Sequence, residues 1–360
     1  MDLKSFGWSD FFEAHFAPHG EAGLVPARVA REERDLFGVY CEAGRVAAEI
    51  SGKMRHDARS RAELPAVGDW VAIEAPPGGG TAIIHAVLPR KSRISRRQPG
   101  EKTDEQVLAA NIDVAFLVSA LDGSRNFHLP TIERYAVMAW ESGAEPVVLL
   151  NKCDLCAEAD ARVVEVEAIA PGVPVLAVSA LDGRGLDAVR AHLVAGKTAV
   201  FLGRSGVGKS MLINRLFGSE LLPIGDVRAS DLEGRHTTTW REMILLPTGG
   251  VVIDTPGMRE LQAWDAASGI AEGFDEIEEL ALGCRFGDCR HLTEPGCAVK
   301  AAVDAGTLDA ERLARFQNLQ KEAEHLARKQ DEKLRLVEKA RQRSFGRMVK
   351  RFNEDNPKNG

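Results

Sequence analysis

A glycine-rich loop is the segment whose residues could most clearly do chemistry. It runs Gly203-Arg204-Ser205-Gly206-Val207-Gly208-Lys209-Ser210, the spacing G-x-x-x-x-G-K-S. Glycines at these positions let backbone N–H groups surround phosphate oxygens, and the lysine adds a point charge at the outer phosphates. The Ser210 hydroxyl is a ligand for Mg²⁺, and Met211 opens the helix expected to follow. The loop predicts a site for nucleotide phosphates.

A second pair of motifs, earlier in the chain, predicts which base is bound. Asn151-Lys152-Cys153-Asp154 has the pattern N-K-x-D, and Ser179-Ala180-Leu181 follows it as a backbone support for the base. The Asp154 carboxylate can accept from the ring N–H and the exocyclic amine of guanine together, whereas adenine offers neither group there. Such charge-assisted bonds contribute about 1.5–3 kcal/mol each. The base is therefore predicted to be guanine.

Two later segments complete a GTPase motif set. Thr237 or Thr238 of the threonine cluster is expected to reach Mg²⁺, and Asp254 is the second acidic group on the magnesium side. Gly257 can present its N–H to the terminal phosphate, since no side chain blocks the approach. The base-reading motifs precede the phosphate motifs, which reverses the ordinary order. The sequence thus predicts a circularly permuted GTPase.

The group that drives hydrolysis is less evident. Ras-like enzymes orient the attacking water with a glutamine just after D-x-x-G, but here Met258 follows Gly257. Gly206 occupies the position where cation-activated relatives have asparagine. Slow intrinsic turnover is therefore expected, and His236, beside the threonine cluster, is the candidate for positioning water. A contact of His236 with RNA, or simple packing, fits the sequence equally well.

Four ligand-type residues lie close together after the GTPase motifs. They have the spacing C-x₄-C-x-H-x₅-C and are Cys284, Cys289, His291 and Cys297. Three thiolates and one imidazole form a closed tetrahedral set for one structural Zn²⁺. The earlier pair Cys153 and Cys156 could be a redox pair or half a zinc site, but it overlaps the base-reading loop and is interpreted as coincidence.

Strand and helix patterns indicate a multidomain α/β chain. The strand-like runs in residues 27–90 predict a small OB-type barrel. An SH3-like barrel fits nearly as well, and the role of the barrel could be purely structural. The runs are Val25–Ala30, Leu36–Cys41, Arg45–Ser51, Asp69–Glu74 and Thr81–Leu88. The preceding arm, residues 1–26, has aromatic residues at helical spacing. Residues 98–259 alternate apolar strands and helices, which predicts a mostly parallel sheet with helices on both faces. Residues 260–306 are expected to form a zinc-binding helical domain and residues 307–360 a basic helical tail.

Charge is distributed unevenly along this chain. The net charge is −7, yet basic residues are concentrated in a polar connection of the barrel and just after it. Local basic surfaces determine phosphate contacts, so these are candidate RNA contacts, with a solvated surface as the alternative: Lys53, Arg55, Arg59, Arg61, Arg90, Lys91, Arg93, Arg96 and Arg97. Six cysteines are too few for a disulfide scaffold, and no membrane-length apolar run or signal peptide is evident. A cytoplasmic monomer is expected.

Over nearly its whole length the chain resembles the RsgA/YjeQ family, the ribosome small subunit-dependent GTPases. The resemblance rests on the zinc set and on these segments: Gly52-Lys53-Met54-Arg55-His56, Val67-Gly68-Asp69-Trp70-Val71, Leu88-Pro89-Arg90-Lys91-Ser92, Gly203–Ser210, Gly234-Arg235-His236-Thr237-Thr238-Thr239 and Asp254–Gly257. Met211 departs from the pattern, since the family more often has serine there.

This resemblance implies a factor in late maturation of the small ribosomal subunit. Such a factor binds the subunit with GTP, hydrolyses GTP when stimulated by it, and dissociates. The barrel would contact ribosomal RNA, and the zinc domain would hold another part of the subunit. Two alternatives remain open on the residues alone: a GTP-gated translation factor acting on mature ribosomes, and a non-enzymatic RNA-binding scaffold. Intact Lys209, Ser210 and Asp254 argue against the scaffold.

Overall fold

The strands and helices belong to a computed structural model that describes residues 1–33, 36–76, 79–97, 105–123, 126–219, 242–254, 274–287 and 289–321. The strands are β1 Val25–Glu33, β2 Leu36–Cys41, β3 Gly44–Ile50, β4 Trp70–Glu74, β5 Ala82–Val87, β6 Arg93–Arg97, β7 Glu105–Ala110, β8 Val114–Ala120, β9 Glu145–Asn151, β10 Val175–Ala177, β11 Thr198–Leu202, β12 Glu242–Leu245 and β13 Val251–Asp254. The helices are α1 Asp10–Glu21, α2 Gly52–Asp57, α3 Leu129–Glu141, α4 Ala159–Ile169, α5 Leu186–Ala191, α6 Lys209–Phe217, α7 Asp275–Ala281, α8 Ala298–Asp304 and α9 over residues 310–321. In the described part of the chain, no helix has the length and apolar character needed to span a membrane.

The first five strands close into a barrel. β1 pairs with both β2 and β4, β2 pairs with β3, and β5 joins β3 to β4, so the ring has no open edge. Alternate residues point inward and fill the interior with small and β-branched side chains, among them Val29, Val39, Ala48 and Ile84. A closed five-stranded ring in this order is the OB-type arrangement, so that prediction is confirmed over the SH3-like one.

Two stretches that the sequence analysis took as connections have regular structure. The polar connection at 53–61 contains α2, because the Ser51 hydroxyl accepts from the Met54 N–H at 3.2 Å and caps the first turn. The basic stretch after the barrel contains β6, which pairs antiparallel with β7. This hairpin spans position 98, where the GTPase domain was expected to begin. The strand β6 was not predicted because most of its side chains are charged or polar and few of its positions are apolar.

The GTPase part is a mostly parallel sheet in the order β10-β9-β8-β11-β13-β12, with β12 antiparallel at one side. All seven residues of β8 and all five of β11 are buried, as expected for strands covered by helices on both faces. β11 leads into the glycine-rich loop and lies in the middle of the sheet, although the chain builds β8, β9 and β10 first. The predicted circular permutation is confirmed in this topology.

The barrel and the GTPase sheet are joined by backbone and by one buried arginine. Arg31 of β1 pairs with Glu242 of β12, which makes a single continuous sheet. The Arg28 guanidinium, 1% exposed, donates to the carbonyls of Phe6, Gly68 and Asn111. Burial lowers the pKa of Arg28 to about 10, which still leaves it charged at neutral pH. These bonds fix the N-terminal arm, the barrel and the sheet against one another.

The N-terminal arm packs against its own protein. The rings of Trp8 and Phe12 lie 4.7 Å and 5.7 Å from the ring of Trp70, measured between centroids. Lys91 adds a hydrogen bond from its Nζ to the Ser9 hydroxyl at 2.9 Å and lies over the ring of Phe12. The aromatic spacing noted in the sequence therefore covers the barrel.

The C-terminal helices dock on α3 of the GTPase part. The ring of Phe274 contacts that of Phe316 on α9, with centroids 5.4 Å apart. Arg312 of α9 pairs with the buried Glu133 of α3, and Arg315 approaches the same carboxylate with its Nε at 2.7 Å. A buried charge network thus joins the two parts.

Candidate nucleotide site and metal-binding cluster

The phosphate loop turns between β11 and α6 and depends on two close backbone approaches. A Cβ on Gly203, where φ is +147°, would lie 2.3 Å from the Val118 carbonyl oxygen, so the position admits no side chain. Lys209 begins α6, and its Nζ donates to the carbonyls of Gly203 at 2.7 Å and Arg204 at 2.9 Å. The lysine charge and the helix N-terminus therefore meet at the loop, as anion binding requires.

Asn151 connects the base-reading loop to the phosphate loop. Its Nδ2 donates to the Val207 carbonyl at 2.8 Å, and its Oδ1 accepts from the Ala180 N–H at 3.1 Å. A Cβ on Gly208 would lie 2.3 Å from the same Nδ2, and φ there is +97°. The buried amide thus occupies the space that the glycine leaves. Three motifs far apart in the sequence are held in one unit.

Asp154 lies beside this unit with an unpaired oxygen. The residue belongs to a short 3-10 turn, Cys153–Leu155, that follows Lys152 in a left-handed conformation. Asp154 Oδ1 is buried and has no hydrogen-bond partner among the described residues. An unpaired buried carboxylate oxygen is costly, so the site calls for an N–H donor from a ligand. The ring N–H and exocyclic amine of guanine fit that demand.

The alternative reading of Cys153 and Cys156 gains no support from the structure. Cys153 is 3% exposed and lies under the base-reading turn, where its N–H donates to the Val178 carbonyl at 3.1 Å. Burial raises the pKa of the Cys153 thiol, which disfavours the reactive thiolate. The thiol is a packing residue at this position.

Two of the predicted magnesium-side residues, Ser210 and Asp254, lie in the part of the chain that the structure describes. Asp254 is the last residue of β13, which runs parallel to β11, so both strands end at the phosphate loop. Burial raises the pKa of Asp254, and the nearby Lys209 charge acts in the opposite direction. Ser210 is in the first turn of α6. His236, Thr237, Thr238 and Gly257 lie outside the described residues.

Two residues that support the site were missed by the sequence analysis. Asp122 Oδ2 lies 2.6 Å from Lys152 Nζ, and it follows β8 by two residues. Polar residues at the carboxyl end of a buried parallel strand are a usable signal, so Asp122 could have been found. Arg215 donates to the carbonyls of Ala180 at 2.9 Å and Leu181 at 2.6 Å, which holds the S-A-L loop. Nothing in the sequence marked that arginine.

The four zinc-type residues converge on one point. Their ligand atoms all lie within 4.8 Å of one another, so the cluster could hold a metal ion. Cys284 Sγ lies 3.7 Å from His291 Nδ1 and 3.9 Å from Cys297 Sγ. A tetrahedral site with metal–sulfur bonds of about 2.3 Å separates its ligand atoms by about 3.7 Å. The spacing of this donor set matches a closed tetrahedral site.

The loop that carries the cluster is held in place by its neighbours. His291 has φ +59°, an uncommon value for a residue with a side chain, and its carbonyl accepts from Gln317 Nε2 of α9 at 2.8 Å. The Glu294 carboxylate accepts from the N–H groups of Arg290, Leu292 and Thr293. Its own backbone N–H and these three together lower the pKa of Glu294 to about 2. The cluster is thereby fixed to the helices that dock on α3.

The candidate RNA-contact residues divide into two sets. Lys53, Arg55, Arg59 and Arg61 are exposed around α2. Arg90 is a correction: its side chain is 12% exposed, and its Nε and Nη2 each donate to the buried Asp69 carboxylate at 2.7 Å.

Because the Arg90 guanidinium is occupied by this internal ion pair, it is not available to bind RNA phosphates. Arg93 is exposed, with its Nε 3.4 Å from Glu105, and Arg96 and Arg97 belong to the same strand, β6. Lys91 is engaged with the N-terminal arm.

Comparison with known families gives two matching models. The model described as RsgA GTPase matches residues 87–264, and the model described as 50S ribosome-binding GTPase matches residues 198–337. The first begins just after the barrel and covers both the base-reading and the phosphate motifs.

Curated relatives match over the full length. "Small ribosomal subunit biogenesis GTPase RsgA" of Opitutus terrae is 47% identical over 350 residues, which are 95% of this chain and 95% of that protein. The protein of the same name from Syntrophotalea carbinolica is 40% identical over 363 residues, 99% of each chain.

Solved structures show the same fold. The crystal structure of YjeQ from Thermotoga maritima has a TM-score of 0.62 and 29% identity, and covers 83% of this chain and 98% of that one. YloQ, described as a circularly permuted GTPase, has a TM-score of 0.60 at 24% identity, with 84% and 96% covered. The latter likeness speaks for the fold alone.

Proposed function

Because the chain belongs to the RsgA GTPase family and is a GTP hydrolase, we propose that it acts in late maturation of the small ribosomal subunit. It binds the subunit with GTP, hydrolyses GTP when the subunit stimulates it, and then dissociates. The observation that carries the proposal is the presence, in one chain, of phosphate and base-reading loops joined through Asn151, an OB-type barrel and a Cys₃His cluster. The relatives, whose names state small ribosomal subunit biogenesis, align with almost the entire chain.

Each residue of the site has a chemical part in the proposed reaction. Lys209 contacts the outer phosphates, and the N–H of Gly257 meets the terminal one. Ser210, Asp254 and Thr237 or Thr238 would hold Mg²⁺, which neutralises phosphate charge when bound. Asn151, Lys152, Asp154 and the Ser179–Ala180 backbone hold the base, and Arg204 to Val207 line the phosphates. His236 is proposed to orient the attacking water when the subunit is bound.

We propose that ribosomal RNA is met by the basic face around α2. A groove of about 450 Å³ opens there between the barrel and β7, with Arg55, Arg59 and Arg61 at its rim and Phe37 and Leu64 among its apolar walls. Guanidinium groups suit phosphate oxygens, although one of them, that of Arg61, also lies 3.4 Å from Glu32 in the same groove. This local surface matters more for phosphate contact than the net charge of −7.

The Cys₃His cluster is proposed to hold one structural Zn²⁺. Cys289→Ala is expected to lower the metal content from about one zinc per chain to nearly none and to unfold residues 284–297, since metal binding and local folding are coupled. GDP affinity should change little, because the cluster contacts α9 rather than the nucleotide loops. Elemental analysis and hydrogen exchange measure both effects. Cys156→Ala is the control and should keep its zinc; loss of zinc there would instead favour a site at Cys153 and Cys156.

The His236→Ala variant tests the hydrolytic group. It should bind GTP and small subunits nearly as the parent does, while subunit-stimulated turnover falls by about 10²–10³-fold, the range expected for a lost general base. His15→Ala, an exposed histidine of α1, is the control. Near-parental stimulation of the His236 variant would assign the water-positioning group to the ribosome or to another loop.

Subunit binding in each nucleotide state tests the proposed partner. The affinity of the protein for immature small subunits should be at least about tenfold higher with a non-hydrolysable GTP analogue than with GDP, as expected of a nucleotide-gated switch. Co-sedimentation measures this difference. A mature-subunit arm tests the alternative of a translation factor. A large-subunit arm is warranted by the second family description. Preference for mature or large subunits would overturn the proposal.

A further inference from the structure

The Lys152 side chain forms an ion pair with Asp122, and no ion pair joins it to Asp154 among the described residues. Its Nζ lies 2.6 Å from Asp122 Oδ2, with side chains 30% and 17% exposed respectively. Asp122 lies in the loop after β8, and Lys152 follows directly on β9, the neighbouring parallel strand. The pair therefore bridges two strand ends at the edge of the sheet where the nucleotide binds.

The ammonium group of Lys152 is a competitor of the base for the Asp154 carboxylate. Lys152 is two residues from Asp154, and both are in or beside the tight turn Cys153–Leu155. Asp154 Oδ1 is buried and makes no hydrogen bond within the described residues. An ammonium group on a four-carbon stem is the obvious competitor for such an oxygen. The Lys152 ammonium group pairs with Asp122 instead.

The backbone explains why Lys152 must be held by another residue. Lys152 has φ +63°, so its side chain leaves the chain in a direction that differs from the extended strand before it. Asn151 on one side is fixed by Val207 and Ala180. The next side chain, that of Lys152, is held at its ammonium end by Asp122 at 2.6 Å.

We propose that Asp122 is a positioning residue for guanine recognition: it holds the Lys152 ammonium away from Asp154 and lays the lysine stem along the base site. Asp122 itself does not touch the nucleotide in this account. Asp122 acts on base binding indirectly: it fixes Lys152, and it thereby keeps the Asp154 carboxylate available to the base. This assigns a role in the known reaction to the loop after β8, which contains none of the GTPase motifs.

The expected effect is a selective loss of guanine affinity. Asp122→Ala should weaken GDP binding by about two- to fivefold, the range for a partly exposed ion pair. The ratio of GDP affinity to IDP affinity should also fall, because IDP lacks the exocyclic amine from which Asp154 accepts a hydrogen bond. Asp122→Asn keeps an oxygen acceptor for Lys152 and should lie between the parent and the alanine variant.

A double-mutant cycle distinguishes positioning from general support of the loop. In a Lys152→Met background, Asp122→Ala should cost no further GDP affinity, since the residue that it positions is already gone. Asp187→Ala is the matched control: its carboxylate is 99% exposed and pairs with Arg190 at 2.8 Å on α5. That variant should bind GDP and IDP as the parent does.

The measurement is equilibrium binding of fluorescent GDP and IDP to the full-length protein. Equal losses from Asp122→Ala in both backgrounds would overturn the proposal, as would an unchanged ratio of GDP to IDP affinity. Should the alanine variant fail to fold, Asp122→Asn in the two backgrounds gives the same comparison. An asparagine variant that loses affinity in the Lys152→Met background contradicts the positioning role.

Discussion

Asp154→Asn should convert the protein from a GTP-binding to a xanthosine triphosphate-binding form. The carboxylate offers two acceptors, whereas the amide offers one acceptor and one donor, which suits the carbonyl that xanthine has in place of the guanine amine. A site built on such polar pairing discriminates by about 10⁴. GTP affinity should fall by about two to four orders of magnitude, and xanthosine triphosphate should become the better ligand.

Binding of the two triphosphates to the variant and the parent measures this reversal. Asp160→Asn, on the exposed first turn of α4, is the matched control and should prefer GTP like the parent. The structure gives the reason for expecting a clean switch, since Asp154 Oδ1 makes no other bond in the described residues. A variant that keeps the parental preference for GTP would show that Asp154 does not read the base.

Glu133→Ala is the second change with a large expected effect. The Glu133 side chain is 4% exposed and accepts from Arg312, whose own side chain is 5% exposed, while Arg315 Nε lies 2.7 Å away. Removing the carboxylate takes one charged partner from each of the two guanidinium groups, and the buried Arg312 keeps Glu276 and the Ile169 carbonyl. Breaking a buried pair in this way costs about 3–5 kcal/mol. The loss should fall on the docking of α9 and the metal-binding cluster onto the GTPase part.

Hydrogen exchange of residues 298–321 and thermal unfolding report that loss. Glu165→Ala serves as the control, because the side chains of Glu165 and its partner Arg162 on α4 are each more than a third exposed, so that solvent weakens their ion pair. If Glu133→Ala leaves both the exchange of α9 and the unfolding temperature unchanged, the buried network does not hold the C-terminal helices in place.

Much of this fold could be predicted because its signals are local. The strand runs of the barrel follow from periodicity and agree with the structure to within a few residues, and the alternation of apolar strands and helices expected after residue 98 is present in the GTPase sheet. The order of the GTPase motifs predicted the permutation. The spacing of Cys284, Cys289, His291 and Cys297 predicted the metal-type cluster that the structure brings together.

The features that were missed depend on contacts distant in sequence. Arg90 belongs to a basic stretch and looked available to RNA, but the buried Asp69, 21 positions earlier, takes its guanidinium. The role of Arg215 in holding the Ala180 carbonyl spans 35 positions. Local charge and periodicity carry no information about which of several arginines a buried acceptor selects. Tertiary pairing of this kind appears only in the folded chain.

Steady-state GTP turnover with and without purified small ribosomal subunits tests the central claim most directly. The account predicts slow turnover by the protein alone, since Met258 stands where Ras-like enzymes have the water-orienting glutamine, and an increase of at least about tenfold when small subunits are added. Large subunits at the same concentration should give no comparable increase. Equal turnover with and without small subunits, or stimulation by large subunits alone, would contradict the account.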